Sequence, residues 1–138
     1  MKKTITLLFA FIMAFSLNSC GGSDDSSGSS SGDKIVGTWK YIGDIDESEF
    51  DPNTDEPCDD DFAKFNSNGT ALATNKTCGD VTETSPATWE NNGGGVYSFT
   101  ETETSESSTV SVEFSDDFKE MTFFPVGQTA YGIVYRKQ

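Results

Sequence analysis

The folded part of this sequence predicts an all-β protein, an eight-stranded antiparallel barrel or sandwich, and three observations carry that prediction. No segment of residues 34–138 sustains a 3.6-residue apolar period, so no amphipathic helix is expected. Short alternating apolar and polar runs recur instead, each bounded by Gly, Asn, Asp or Pro turn signals. Eight such runs fit into the 105 residues from 34 to 138, the density of a barrel or sandwich.

The first strand is expected at 35–42, where Ile35-Val36-Gly37-Thr38-Trp39-Lys40-Tyr41 opens the domain. The second and third, at 60–66 and 70–76, flank Ser67-Asn68-Gly69, a three-residue loop with Gly69 available for the left-handed position. Facing positions then sum to 136, which sets Asn66 opposite Thr70 and Ala63 opposite Ala73. Cys58 and Cys78 fall on the same sum of 136, where the hairpin opens. Strands at 87–91 and 96–100 flank Gly93-Gly94-Gly95, read as a hairpin turn. Strands at 109–114 and 119–124 flank Asp116-Asp117, read as a two-residue turn with a facing sum of 233. Val110 then faces Phe123 and Val112 faces Met121, while Ser111, Glu113, Glu120 and Thr122 share the other face. One apolar and one polar face is what a sheet covering a core requires, and a slip of one residue would mix them. The last strand is expected at 130–136.

Charge and composition exclude several function classes. The chain has 138 residues, 9 Lys+Arg against 23 Asp+Glu, and a formal charge of −14. Such a surface repels polyanions, so neither nucleic acid nor an anionic membrane face is an expected partner. The absence of histidine removes His-based triads, His-ligated zinc and imidazole acid–base chemistry. The sequence has no Gly-rich phosphate loop, nucleophile elbow or metal-ligand spacing. No catalytic residue, metal site or cofactor is expected, and the chain is read as a monomer without enzymatic activity. Residues 44–61 hold ten acids and no base: Asp44, Asp46, Glu47, Glu49, Asp51, Asp55, Glu56, Asp59, Asp60 and Asp61. Hard oxygen ligands at this density suit Ca²⁺, but an EF-hand frame from Asp51 puts Glu56 where glycine belongs and Phe62 where the bidentate acid belongs. A solvated acidic loop is the simpler reading.

The N-terminus reads as an address. Lys2 and Lys3 precede an uncharged apolar run at 5–15, too short to span a bilayer but suited to a signal peptide. The run leads to Leu17-Asn18-Ser19-Cys20, which resembles the bacterial lipobox. The resemblance implies cleavage after residue 19 and lipid attachment at Cys20, with palmitate among the acyl chains; three chains anchor stably where one is marginal. Residues 1–19 are then the signal peptide, and the mature chain keeps 7 basic residues against the 23 acids. Residues 20–33, with six serines and four glycines, cannot build a core and read as a flexible tether. Ser23-Asp24-Asp25 resembles the acidic export signal of Bacteroidota-type surface lipoproteins, against the plain alternative of common linker residues. The expected place is the outer membrane, lipid-anchored and facing either the cell surface or the periplasm.

Cys58 and Cys78 remain as an even pair outside the cytoplasm, and the register sets them opposite each other; a disulfide is expected. Such a bridge would stabilise by roughly 3 kcal/mol on the chain-entropy model. Gly37-x-Trp39 on the first strand and Arg136 on the last resemble the lipocalins, in which a first-strand Gly-x-Trp packs beneath a last-strand arginine. The chain is still more similar to the short lipocalin-like domain of secreted bacterial lipoproteins, where a cysteine pair brackets a hairpin like Phe65-Asn66-Ser67-Asn68-Gly69-Thr70 and a Trp strand follows, here around Trp89. The Thr-Asp-Tyr motif of vertebrate lipocalins is absent. The resemblance implies an eight-stranded antiparallel up-and-down barrel with a base of Gly37, Trp39 and Arg136 and a cation–π contact between the last two. It also implies a lid at 43–57 and a small apolar ligand walled by Tyr41, Phe65, Trp89, Tyr97 and Phe99. The alternative is a filled barrel that serves as a protein- or glycan-interaction module, because eight strands enclose room for side chains or for one small ligand.

Overall fold

A computed structural model describes residues 32–54 and 59–138. The expected signal peptide, Cys20, most of the expected tether, and Asp55, Glu56 and Cys58 lie outside the described residues.

All regular structure among the described residues is β. The strands are β1 (Gly37–Asp46), β2 (Glu49–Pro52), β3 (Asp59–Phe65), β4 (Thr70–Thr77), β5 (Asp80–Gly93), β6 (Val96–Glu101), β7 (Ser107–Phe114), β8 (Glu120–Pro125) and β9 (Gly132–Lys137). Each pairs antiparallel with its neighbour in the order β2-β1-β3-β4-β5-β6-β7-β8-β9, and β9 returns to pair with β1. Eight strands therefore close into an up-and-down barrel, as the sequence predicts.

The ninth strand, β2, falls inside the segment read as a lid. It folds back on the overhanging half of β1 through the pairs from Asp46↔Glu49 to Gly43↔Pro52. All four residues of β2 are exposed, so no buried face writes a period into the sequence. The Glu47-Ser48 turn has φ of 49° and 71°, the left-handed geometry of a primed two-residue hairpin turn. The first half of the expected lid is thus a hairpin.

Register decides which side chains meet. The β3–β4 hairpin runs on the expected sum, with Ala63 opposite Ala73 and Phe65 opposite Ala71. The β7–β8 hairpin does not: Val110 faces Pro125, Val112 faces Phe123 and Phe114 faces Met121. The expected pairing is off by two because the loop holds four residues, 116–119, instead of two. Asp117 organises it, its Oδ1 accepting from the Ser115 hydroxyl at 2.8 Å and from the Lys119 N–H at 3.1 Å. The Glu120 N–H in turn donates to Ser115 Oγ at 2.9 Å. A slip of two preserves the faces, since side chains alternate with period two. Val110, Val112, Met121 and Phe123 accordingly all reach the core.

β5 is longer than expected, beginning at Asp80 instead of residue 87. Its first seven residues, Asp80 to Pro86, are exposed or half-buried on both sides, so again no alternation announces them. Pro86 sits just past the last β5–β6 pair, Ala87↔Glu101, where its missing N–H is tolerated.

The barrel has two ends. Its base is where the chain enters β1 and holds the turns at 66–69, 94–95 and 115–119; its mouth holds those at 47–48, 78–79, 102–106 and 126–131.

Candidate functional site

The base is closed by the chain itself. Trp39 is 0% exposed and its Nε1–H donates to the Ile35 carbonyl at 2.7 Å. Gly37 leaves room for a neighbour: a Cβ there would stand 3.1 Å from Lys137 Cε. Arg136 is not the cation on Trp39, which corrects the expectation. The β1–β9 register pairs Trp39 with Lys137 and Lys40 with Arg136. Alternation then places Lys137 on the Trp39 side, with its Nζ 5.2 Å from the ring centroid. Arg136 lies outside, where its Nε and Nη2 donate to Glu120 Oε1 at 3.1 and 2.8 Å.

Asp33, read as the last residue of the tether, belongs to the fold. Its Oδ1 accepts from the Tyr97 hydroxyl at 2.7 Å and from the Ile35 N–H at 3.1 Å. Its Oδ2 accepts from the Asn91 amide at 2.5 Å. Burial, helped by the Asp33 hydrogen bond and charge, pushes the Tyr97 phenol well above its ordinary value. The only sequence signal for this role is an acid placed just before the first apolar run.

Four of the five expected ligand walls come together, but against one another. Phe65 meets Trp89 at 6.5 Å and Phe99 at 5.8 Å between centroids, and Trp89 meets Tyr97 at 6.2 Å. Phe123 closes the group at 6.2 Å from Phe65 and 5.7 Å from Phe99. Trp89 Nε1 also donates to the Asn66 carbonyl at 3.0 Å. These aromatics fill the middle of the barrel. Two open hollows lie beside the filled interior. One at the base lies among Asp33, Lys34, Tyr97, Phe114 and Phe118; the other is an outer groove among Ile42, Ile45, Phe50, Thr122 and Val134.

Tyr41, the fifth wall, packs on the edge of this group, half-buried toward the mouth, its ring 6.0 Å from that of Tyr135, which lies 5.4 Å from Phe123. Around this pair the inward positions turn polar. Ala63, Phe65, Ala71 and Ala73 face the core, so by alternation Asp61 and its direct partner Asn75 face inward too. Asn75 is 9% exposed. Asp44 stands at the rim opposite Ile133, which packs on the core. Tyr135 is 1% exposed and its hydroxyl finds no hydrogen-bond partner among the described residues. Burial first, then the charge of Asp61, the Tyr41 phenol and the charge of Asp44, raise the Tyr135 phenol well above its ordinary value.

Of the other described acids of the 44–61 stretch, Asp46, Glu47, Glu49 and Asp51 lie on the hairpin, and Asp60 pairs with Lys40 on the outside. Among the described residues no group of three or more His, Cys, Asp or Glu is placed to hold a metal ion. Cys78 occupies the tip of the β4–β5 hairpin with φ 52°, beside Gly79 at φ 92°. Comparison with known proteins adds no relative: no family model matches the chain, and no curated protein matches it.

Proposed function

We propose that this chain is a lipid-anchored, lipocalin-like lipoprotein whose barrel is a solid body and whose working surface is the acidic open end. The observation that carries this reading is the packing of Phe65, Trp89, Tyr97, Phe99 and Phe123 against one another, which takes up the space an apolar ligand would need. It favours the interaction module over storage of a small apolar molecule within. Saturable quenching of Trp39 and Trp89 fluorescence by a neutral apolar probe would overturn it; the expected result is none.

Orientation follows from the anchor. The tether joins the fold at the base, so an anchored Cys20 attaches the barrel by that end and leaves the mouth as the end remote from the attachment. Asp44, Asp46, Glu47, Glu49, Asp51, Asp80, Glu101 and Glu103 gather at that remote end and attract cationic partners. Replacing Cys20 with Ser should release the protein from membranes and abolish palmitate labelling; unchanged fractionation would refute the anchor.

A Cys58–Cys78 disulfide would lock the mouth end of β3 to the β4–β5 turn. It is supported by the register, which pairs Asp59 with Thr77 one step away, and by Cys78 not standing as a lone thiol. Non-reducing peptide mapping should recover the two cysteines joined, whereas two alkylatable thiols in folded, oxidised protein would refute the bridge.

A further inference from the structure

We infer that the mouth of the barrel binds a primary ammonium group, held between the carboxylates of Asp61 and Asp44 and the hydroxyl of Tyr135. This deepens the reading that recognition takes place at the open end, and rests on it.

Three features of the site point to that chemistry. The first is the Tyr135 hydroxyl, buried yet without a hydrogen-bond partner. A buried hydroxyl left unsatisfied carries a desolvation penalty, which a ligand that supplies its partner offsets on binding. The second is the sign of charge around it. Asp61 faces inward beside Asn75 and Asp44 stands at the rim opposite Ile133, and their charges add to burial, the larger cause, in raising the Tyr135 phenol above its ordinary value. Tyr135 is therefore a neutral hydroxyl among anions, and the group that completes the set is a cation with protons to donate. The third is shape. The Tyr41 ring stands at 6.0 Å from Tyr135 and gives an aromatic wall against which the methylenes next to an ammonium pack.

An ammonium fits better than the other cations. Its three donors match three separate acceptors: two carboxylates and a phenol oxygen. A guanidinium presents a planar fork suited to bidentate pairing with a single carboxylate. Calcium takes six to eight oxygens, and the described residues hold no group of three or more acids placed around one point. The ammonium has two chemical sources, a free alkylamine or the lysine side chain of a protein partner.

The test is calorimetric and NMR titration of the mature chain. The probes are butylammonium, a glycine-flanked lysine peptide, and neutral counterparts of each: butan-1-ol and the same peptide acetylated on its lysine. Saturable binding of the charged probes at or below about 10 mM is expected, with neither neutral probe binding. Comparable affinity for butylammonium and the peptide identifies a free amine as the ligand; much tighter binding of the peptide identifies a lysine. Asp61→Asn should weaken binding by about tenfold or more. Tyr135→Phe should weaken it several-fold without loss of folding, because its hydroxyl has no partner to lose. Absence of saturation by both charged probes, equal binding of butan-1-ol, or an Asp61→Asn variant that binds like the parent each overturns the inference. An apolar probe that enters the barrel interior refutes the solid-barrel reading; exclusion of that probe together with no ammonium binding refutes this inference alone.

Discussion

Tyr97 near the base and Tyr135 near the mouth are both buried inward phenols with raised pKa values, yet their hydroxyls meet opposite fates. Asp33 reaches in from the entering chain and accepts a hydrogen bond from the Tyr97 hydroxyl at 2.7 Å. Among the described residues nothing does the same for Tyr135. The difference teaches how this barrel divides its labour. At the base an extra piece of chain, residues 33–35, acts as a plug, with Ile35 buried, Trp39 bonded to the Ile35 carbonyl and Asp33 bonded to Tyr97 and Asn91. At the mouth the chain departs into the exposed β1–β2 hairpin, and the inward positions become Tyr41, Asp61 and Asn75. Packing closes the first end; polar groups line the second.

The comparison breaks most visibly on Trp39. Trp39→Ala should cost about 3–5 kcal/mol in urea unfolding, the range for deleting a large buried aromatic. Tyr41→Ala, at the half-buried mouth, should cost clearly less. Equal losses would mean that the two ends contribute alike to stability.

Next in size is the tyrosine pair. Tyr97→Phe should destabilise by about 1–2 kcal/mol, since it strips Asp33 of a charge-assisted hydrogen bond. Tyr135→Phe should be neutral or stabilising by up to ~1 kcal/mol, because it removes a buried hydroxyl that no group satisfies. Matched losses in the two variants, measured under identical conditions, would contradict the assignment of the unpartnered hydroxyl.

A similar contrast holds between turns. Gly94-Gly95 at the base meets its left-handed φ values of 61° and 79° without strain, whereas Glu47-Ser48 at the mouth holds 49° and 71° with side chains attached. Glu47→Asn combined with Ser48→Gly should therefore stabilise by about 1 kcal/mol, read as a higher unfolding midpoint. Gly94→Ala should do the reverse.

The smallest effect belongs to Asp117 in the base loop. The Ser115 hydroxyl, then the Lys119 N–H, hold its carboxyl below the ordinary carboxylate range. A depressed folded-state pKa stabilises above the unfolded value near 3.9 and loses that stabilisation as the pH falls through the folded value. The carbon chemical shift of the Asp117 carboxyl should titrate at lower pH than that of a solvated aspartate. Asp117→Asn should reduce the acid sensitivity of the β7–β8 hairpin.

Legibility in the sequence followed burial. Alternation named the inward residues of β3, β4, β6, β7 and β8, and with them the aromatic interior of Phe65, Trp89, Phe99 and Phe123. It was silent on β2 and on the first half of β5, whose residues bury no continuous face and are held by backbone pairing. Turn chemistry located the β7–β8 hairpin but not its length, because Asp116-Asp117 supports a short turn as readily as the start of a four-residue loop; the Ser115, Asp117 and Glu120 bonds choose the second. The candidate site was half legible. Tyr41 was marked as inward and Asp61 as acidic, while Tyr135 carried no mark beyond its place in an apolar strand.

The sequence by itself determined the all-β class, the β3–β4 register and the faces of the β7–β8 hairpin, since these depend on local turns and a period of two. Tertiary closure decided the rest. The pairing of β1 with β9 placed Lys137 instead of Arg136 over Trp39, because one residue of register exchanges the inside for the outside. Closure also turned the expected ligand walls into a mutual packing, since the free space within eight strands depends on how all the inward side chains meet. The same closure carried Tyr135, from the far end of the chain, to Tyr41 and the Asp61 strand near its beginning.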